Sequence, residues 1–161
     1  STTRNRQVTW KAMKLIVACD PKGGIGYENK LPWDKIQGDL PRFKALTTDK
    51  VILMGRNTWE SLPKKPLPNR TNIVLTSKPI DGVLTITELP NTSAPESDVW
   101  VIGGAKLINS CWHLLNEIHL TRTIAEYTCD VFIDLVKLEK EFICVSKEQH
   151  DDHTYEIWKR Q

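Results

Sequence analysis

An acid stands where its neighbours in the chain ask for burial. Asp39, Leu40, Phe43, Leu46 and Thr47 recur at i, i+1, i+4, i+7 and i+8, which lays them on one face of a helix. An ionised carboxylate beside Leu and Phe costs free energy unless a cation or a hydrogen-bond donor meets it. A ligand with a flat, donor-bearing edge would satisfy it, with Phe43 against the ring. The alternative is an acid at a helix N-terminus, favoured by the helix dipole and left in water.

Three strand-to-helix junctions carry a second kind of chemistry. The apolar run Val51-Ile52-Leu53-Met54 leads straight into Gly55-Arg56-Asn57-Thr58, and Val99-Trp100-Val101-Ile102 leads into Gly103-Gly104-Ala105-Lys106-Leu107. Both place glycine where backbone N–H groups at a helix start can approach a phosphate, and both follow with a cation. A third junction, Leu75-Thr76-Ser77-Lys78, adds hydroxyls and a Lys. Each alone reads as readily as a tight turn. Three at strand C-termini, the usual ligand edge of an α/β sheet, point to a dinucleotide or other polyphosphate held by separated loops. Neither GxGxxG nor a Walker sequence is present.

The elements that must position these residues alternate along the chain. Short apolar runs at 13–19, 51–54, 72–76 and 99–102, with a weaker one at 83–86, suit buried parallel strands. Helical patterns fall between them at 39–47, 57–62 and 105–115. The last third changes character: 118–124, 142–147 and 154–159 interleave polar residues, and the last two are joined by a His/Asp turn. The expected fold is α/β, a mostly parallel central sheet flanked by helices, with a C-terminal antiparallel hairpin at the edge. Residues 89–98, rich in Pro, Ser and Asn, read as a loop.

Bulk properties narrow the class. At 161 residues the chain reads as one domain over 13–161 behind a basic N-terminal extension, 1–12. Setting aside the four cations of residues 1–14 leaves 18 basic against 20 acidic residues, so the excess positive charge belongs to the tail. That tail lacks aromatic interleaving apart from Trp10, which argues against a nucleic-acid-binding module. No run approaches the roughly 18 apolar residues of a membrane helix. Cys19, Cys111, Cys129 and Cys144 show neither CxxC nor zinc-like spacing, which favours reduced thiols in the cytoplasm. His150-Asp151-Asp152-His153 looks metal-like, yet between two strand-like runs a polar cluster reads as a turn, and no metal is expected.

Taken in order, Ile25-Gly26 with Asn29, Leu31-Pro32-Trp33, Asp39-Leu40 with Phe43-Lys44, and Met54-Gly55-Arg56 with Thr58-Trp59-Glu60-Ser61 begin a specific series. Leu67-Pro68-Asn69-Arg70 with Asn72-Ile73, Val101-Ile102-Gly103-Gly104 and Leu120-Thr121 complete it. At these residues the chain resembles dihydrofolate reductase, from about Met13 to the C-terminus. The resemblance implies a monomer that reduces 7,8-dihydrofolate to tetrahydrofolate with NADPH, sustaining one-carbon metabolism. It also implies roles. Asp39 matches the acid that grips the pterin 2-amino group and N3, Thr121 hydrogen-bonds nearby, and Trp33 helps to place an ordered water. Ile16, Ala18, Leu40, Phe43, Leu62, Leu67 and Ile102 match ring walls, and Arg70 the receiver of the glutamate carboxylate. Ala18, Ile25 and Gly26 match contacts to the carboxamide. Gly55, Arg56, Thr58, Thr76, Ser77 and Lys106 match the adenine-phosphate side, and Gly103, Gly104, Ala105 and Leu107 the pyrophosphate side. Gly103-Gly104 matches a dipeptide that is cis in the family. The chain departs from the pattern by one residue inserted between Trp33 and Asp39, by Ile108 where many members have Tyr, and by Ala105-Lys106 in place of Gly-Arg.

Overall fold

Parallel strands covered on both faces must be apolar throughout, and the central strands here divide their side chains between two cores. A computed structural model describes residues 12–89 and 98–161. The expected extension, but for Ala12, and most of the expected loop at 89–98 lie outside them. In chain order the elements are β1 (Met13–Cys19), β2 (Gly24–Gly26), α1 (Asp39–Thr47), β3 (Val51–Gly55), α2 (Arg56–Ser61), β4 (Thr71–Leu75) and β5 (Leu84–Ile86). They continue with β6 (Val99–Gly103), α3 (Ala105–Cys111), β7 (Glu117–Thr123), β8 (Val131–Phe132), α4 (Leu135–Glu141), β9 (Phe142–Gln149) and β10 (His153–Arg160).

Eight strands make one sheet in the order β5-β4-β3-β6-β1-β7-β10-β9. The first six are mutually parallel, whereas β10 runs antiparallel to β7, and β9 to β10. This is the expected architecture, hairpin at the edge included. Along β3, Val51 and Leu53 enter a core with Leu15, Val101, Leu107 and Ile118, while Ile52 and Met54 enter a second core with Trp59, Val74 and Trp100. The second core is fringed by partly buried Ile16, Leu46, Leu62, Leu67 and Ile102. Its fringe becomes the wall of the site.

Three local expectations need correction. The helix expected over 105–115 ends at Cys111 and tightens into a 3-10 turn at Trp112–Leu114. Helix α4 follows no strong apolar period in the sequence; it starts where the Asp134 carboxylate accepts from the Lys137 N–H at 3.0 Å. The small β2–β8 ladder was also not expected, because three residues with two glycines carry no strand pattern of their own. Gly24 is required there: a Cβ on it would lie 2.3 Å from the Cys129 Sγ.

Candidate functional site

Helix α1 sets Asp39 over the sheet. Gly38 takes φ +80°, a left-handed conformation that glycine adopts without penalty, and turns the chain into the helix. Pro41 falls in the first turn, where a missing N–H removes no helical hydrogen bond. The Asp39 Oδ1 accepts a hydrogen bond from the Thr121 hydroxyl at 2.9 Å. Thr121, on β7, is opposite Ala18 of β1 and Tyr155 of β10, so one sheet face brings these three beneath the helix start. The helical face expected from the sequence is closed only at its far end. Thr47 is buried and Leu46 packs on the second core, whereas Leu40 is 72 % exposed and the Asp39 side chain 29 %. Ile16, Leu62, Leu67 and Ile102 form a partly buried apolar fringe on that second core, and Asp39, partly exposed, does not stand in a dry core.

Trp33 is buried, edge-on to Tyr127 with ring centroids 5.6 Å apart. Asp20, which sequence reasoning missed, holds this corner: its buried carboxylate accepts from the N–H groups of Lys22, Gly24 and Tyr127 at 2.8–3.1 Å. Its signal was the Asp-Pro-Lys-Gly-Gly turn sequence.

Arg70 meets helix α1 at Phe43. Its guanidinium lies 5.7 Å from the centre of the Phe43 ring. Its Nε is buried with no hydrogen-bond partner among the described residues, and burial pulls its pKa below the ordinary guanidinium range. Asn72 staples the loop that carries it, exchanging hydrogen bonds with Leu67 at 3.0 Å and donating to the Arg70 carbonyl at 3.2 Å. A planar cation held with one N–H unmet fits a carboxylate.

The two glycine junctions meet. In the parallel ladders Gly55 is opposite Leu75, and Met54 opposite Gly103. The Gly103–Gly104 peptide is cis, and Gly103 takes φ +126°, which strains any side chain. A Cβ on Gly103 or Gly104 would sit 3.4 or 3.6 Å from the Thr58 hydroxyl, and one on Gly55 3.9 Å from the Gly104 nitrogen. Helices α2 and α3 both start on these glycines without a side-chain cap, leaving first-turn N–H groups for an anion. The cradle therefore fits a pyrophosphate. Around it Ala105 and Thr76 are half-buried, and Ser77 and Lys106 exposed. Leu107 offers only its backbone, because its side chain belongs to the core. Arg56 is exposed and its Nε donates to Glu60 at 3.2 Å. Ile25 packs on the core, and the Gly26 carbonyl accepts from the Asp130 N–H at 2.9 Å.

The His/Asp turn joins β9 to β10 as expected, but it is also wired to the site. His150 and His153 stack in parallel, 4.5 Å apart. His153 meets the Asp152 Oδ1 through Nδ1 at 2.6 Å, and the Asp152 Oδ2 accepts from the Gln37 N–H just ahead of α1. Those two hydrogen bonds hold the Asp152 carboxyl below its ordinary range. Among the described residues no group of three or more His, Cys, Asp or Glu is placed to hold a metal ion. Arg42, unremarked in the sequence, lies 4.0 Å from the Asp39 Oδ1. The i, i+3 spacing from Asp39 was the available signal.

The family model for dihydrofolate reductase matches residues 12–160. Dihydrofolate reductase type 8 of Escherichia coli is 36 % identical over 162 residues, covering 92 % of this chain and 95 % of its own length. The dihydrofolate reductase of Buchnera aphidicola is 37 % identical over 131 residues, covering 78 % and 81 %. A solved structure of the dihydrofolate reductase from Enterococcus faecalis, complexed with NADP(H) and RAB-propyl, superposes with a TM-score of 0.79 at 28 % identity, covering 96 % of this chain and 99 % of that one.

Proposed function

This chain belongs to the dihydrofolate reductase family and reduces dihydrofolate with NADPH; we propose that the residues of the site divide that work as follows. The observation that carries the assignment is the Asp39–Thr121 hydrogen bond, with Arg70 set against Phe43 of the same helix and its Nε unmet among the described residues.

Asp39 grips the pterin edge. Its two oxygens match two adjacent donors, the 2-amino group and N3, and the Thr121 hydroxyl fixes the carboxylate's rotation. Phe43, Leu40, Leu62, Leu67, Ile16 and Ile102 wall the rings and exclude water. Arg70 takes the glutamate α-carboxylate bidentately, satisfying its Nε. NADPH, when bound, supplies the hydride. Gly55, Thr58, Gly103, Gly104 and the first-turn N–H groups of Ala105, Lys106 and Leu107 hold its pyrophosphate. Arg56, Ser77 and Lys106 meet the 2′-phosphate, with Thr76 beside them, and Ala18, Ile25 and Gly26 hold the carboxamide end. Asp39 lies on the far edge of the pterin from N5, so water brings the proton there, with Trp33 ordering water beside the acid. The negative charge of Asp39 favours that protonation electrostatically.

A reductase of another pterin would keep the phosphate loops but have no use for Arg70, whose Nε, unmet among the described residues, favours a substrate ending in a carboxylate. We place the enzyme in the cytoplasm as a monomer over 13–161. Supporting the cytoplasmic placement, all four cysteines are free. Among the described residues no helix is long and apolar enough to cross a membrane. The direct test is absorbance at 340 nm with NADPH and dihydrofolate together, and tryptophan fluorescence with NADPH alone. A flat absorbance trace refutes the assignment.

A further inference from the structure

Arg42 stands one helical turn on from the acid, 4.0 Å from the Asp39 Oδ1. Its side chain is only 18 % exposed, and it touches three elements besides its own helix. From β7, the Thr121 Oγ1 lies 3.4 Å from Nη1. From β10, the Tyr155 ring lies 4.1 Å beneath the guanidinium, and the His153 Nε2 lies 3.2 Å from Nη2. From the β9–β10 turn, the His150 Nε2 comes within 3.5 Å of Nη2. The charged groups behind these are Glu148 on His150, Asp152 on His153, and Glu117, whose carboxylate meets His119, itself bonded to the Tyr155 hydroxyl.

A guanidinium only donates, and this fixes every hydrogen around it. The lone pair of Thr121 Oγ1 faces Arg42, so the hydroxyl hydrogen is left for the Asp39 Oδ1 at 2.9 Å. The His153 Nε2 must accept, which puts the imidazole hydrogen on Nδ1, toward Asp152 at 2.6 Å. His150 is nearer Glu148, at 3.2 Å, than Arg42, and donates its Nε2 hydrogen there. The guanidinium is thus anchored on one side by His153 and faces Thr121 and Asp39 on the other.

We infer that Arg42 is a positioning residue of this enzyme: held by His153 and Tyr155, it orients the Thr121 hydroxyl onto Asp39 and so presents the carboxylate to the pterin. The inference rests on the assignment of Asp39 as the acid that grips the substrate. Arg42→Met, with a side chain of similar length, leaves the packing but frees the Thr121 hydroxyl to rotate. Losing one oriented bond to a charged group is worth about tenfold.

The experiment is a steady-state double-mutant cycle with Arg42→Met, Asp39→Asn and the pair. Arg42→Met is expected to lower kcat/KM for dihydrofolate about tenfold while the KM for NADPH stays within about twofold. In the Asp39→Asn background the same change is expected to cost less than about twofold, because the residue it acts through is gone. A merely structural role predicts equal losses in both backgrounds and a parallel rise in the KM for NADPH, and either result overturns the inference. Arg42→Lys covers the case in which the Arg42→Met variant folds poorly. It keeps the charge but cannot reach Thr121 and His153 together, so full turnover in that variant also refutes the role. Wild-type turnover with an unchanged Arg42→Met removes Arg42 alone. Absence of wild-type NADPH oxidation removes the Asp39 assignment and this inference with it.

Discussion

Replacing Arg70 with Leu should weaken dihydrofolate binding and stabilise the fold at once. The guanidinium Nε is buried without a partner among the described residues, and an unmet buried donor costs about 1–3 kcal/mol. The Phe43 contact at 5.7 Å returns about 0.5–1 kcal/mol at a partly exposed site. Leucine removes both, for a net gain of about 1 kcal/mol, which in a chain of this size is about 2–4 °C in Tm. Substrate binding moves the opposite way. Two charge-assisted hydrogen bonds to a carboxylate are worth about 1.5 kcal/mol each at the lower end of their range, so the KM for dihydrofolate should rise on the order of a hundredfold. The KM for NADPH should not move, because Arg70 is not among the residues assigned to the cofactor. Arg70→Lys, a point charge without the planar fork, should recover only part of the affinity. The assays are thermal unfolding without ligands and initial rates at 340 nm. A lower Tm for Arg70→Leu together with an unchanged dihydrofolate KM would refute the argument.

Asp39→Asn should slow kcat at neutral pH by about tenfold or more, since electrostatic help to protonation is typically worth that much; wild-type turnover would remove the acid from the mechanism. Arg56→Ala should reduce the preference for NADPH over NADH about three- to tenfold in kcat/KM, a modest change because Arg56 is exposed and already shared with Glu60; an unchanged ratio clears it. Buried Glu156 concerns stability. Burial alone would raise its carboxyl pKa, but hydrogen bonds from Thr154, Trp158 and Arg122 outweigh that and hold it below the ordinary 4.5. The unfolded chain therefore takes up the proton first as pH falls. The stabilisation is complete above about pH 4.5 and is lost as pH drops through the lower folded value. Glu156→Gln, which leaves Arg122 without its anion, should cost about 3 kcal/mol in urea unfolding at pH 7 and progressively less below about pH 4. A gap that does not change with pH would show the pair to be uncoupled from titration.

Much of this protein was legible in the order of its residues. The runs at 51–54 and 99–102 announced parallel strands because both faces of such strands are covered, and the interleaved polar residues after 118 announced an antiparallel ending. Helix α1 was readable from residue 39 to 47 because Thr47, Leu46 and Phe43 follow the helical period. The glycine junctions and Asp39 could be named because each residue type has few physical uses at a helix start. Boundaries that depend on packing were not legible: α3 gives way to a 3-10 turn where Trp112 enters the core beside Phe142, and β2 exists only because β8 comes to meet it.

Local pattern determines which side chains share a face, since helical and strand periods are properties of the chain itself. It therefore determined that an acid and two apolar neighbours would project together, and that phosphate-sized openings would follow strands. Only the tertiary structure decided what stands across from them. Arg42 and His153 are 111 residues apart, Thr121 and Asp39 82, and Glu156 and Arg122 34, and no spacing rule reaches so far. These contacts come from sheet register, which aligns β10 on β7 and β7 on β1, and register is set by the sum of all the core packing rather than by any one segment.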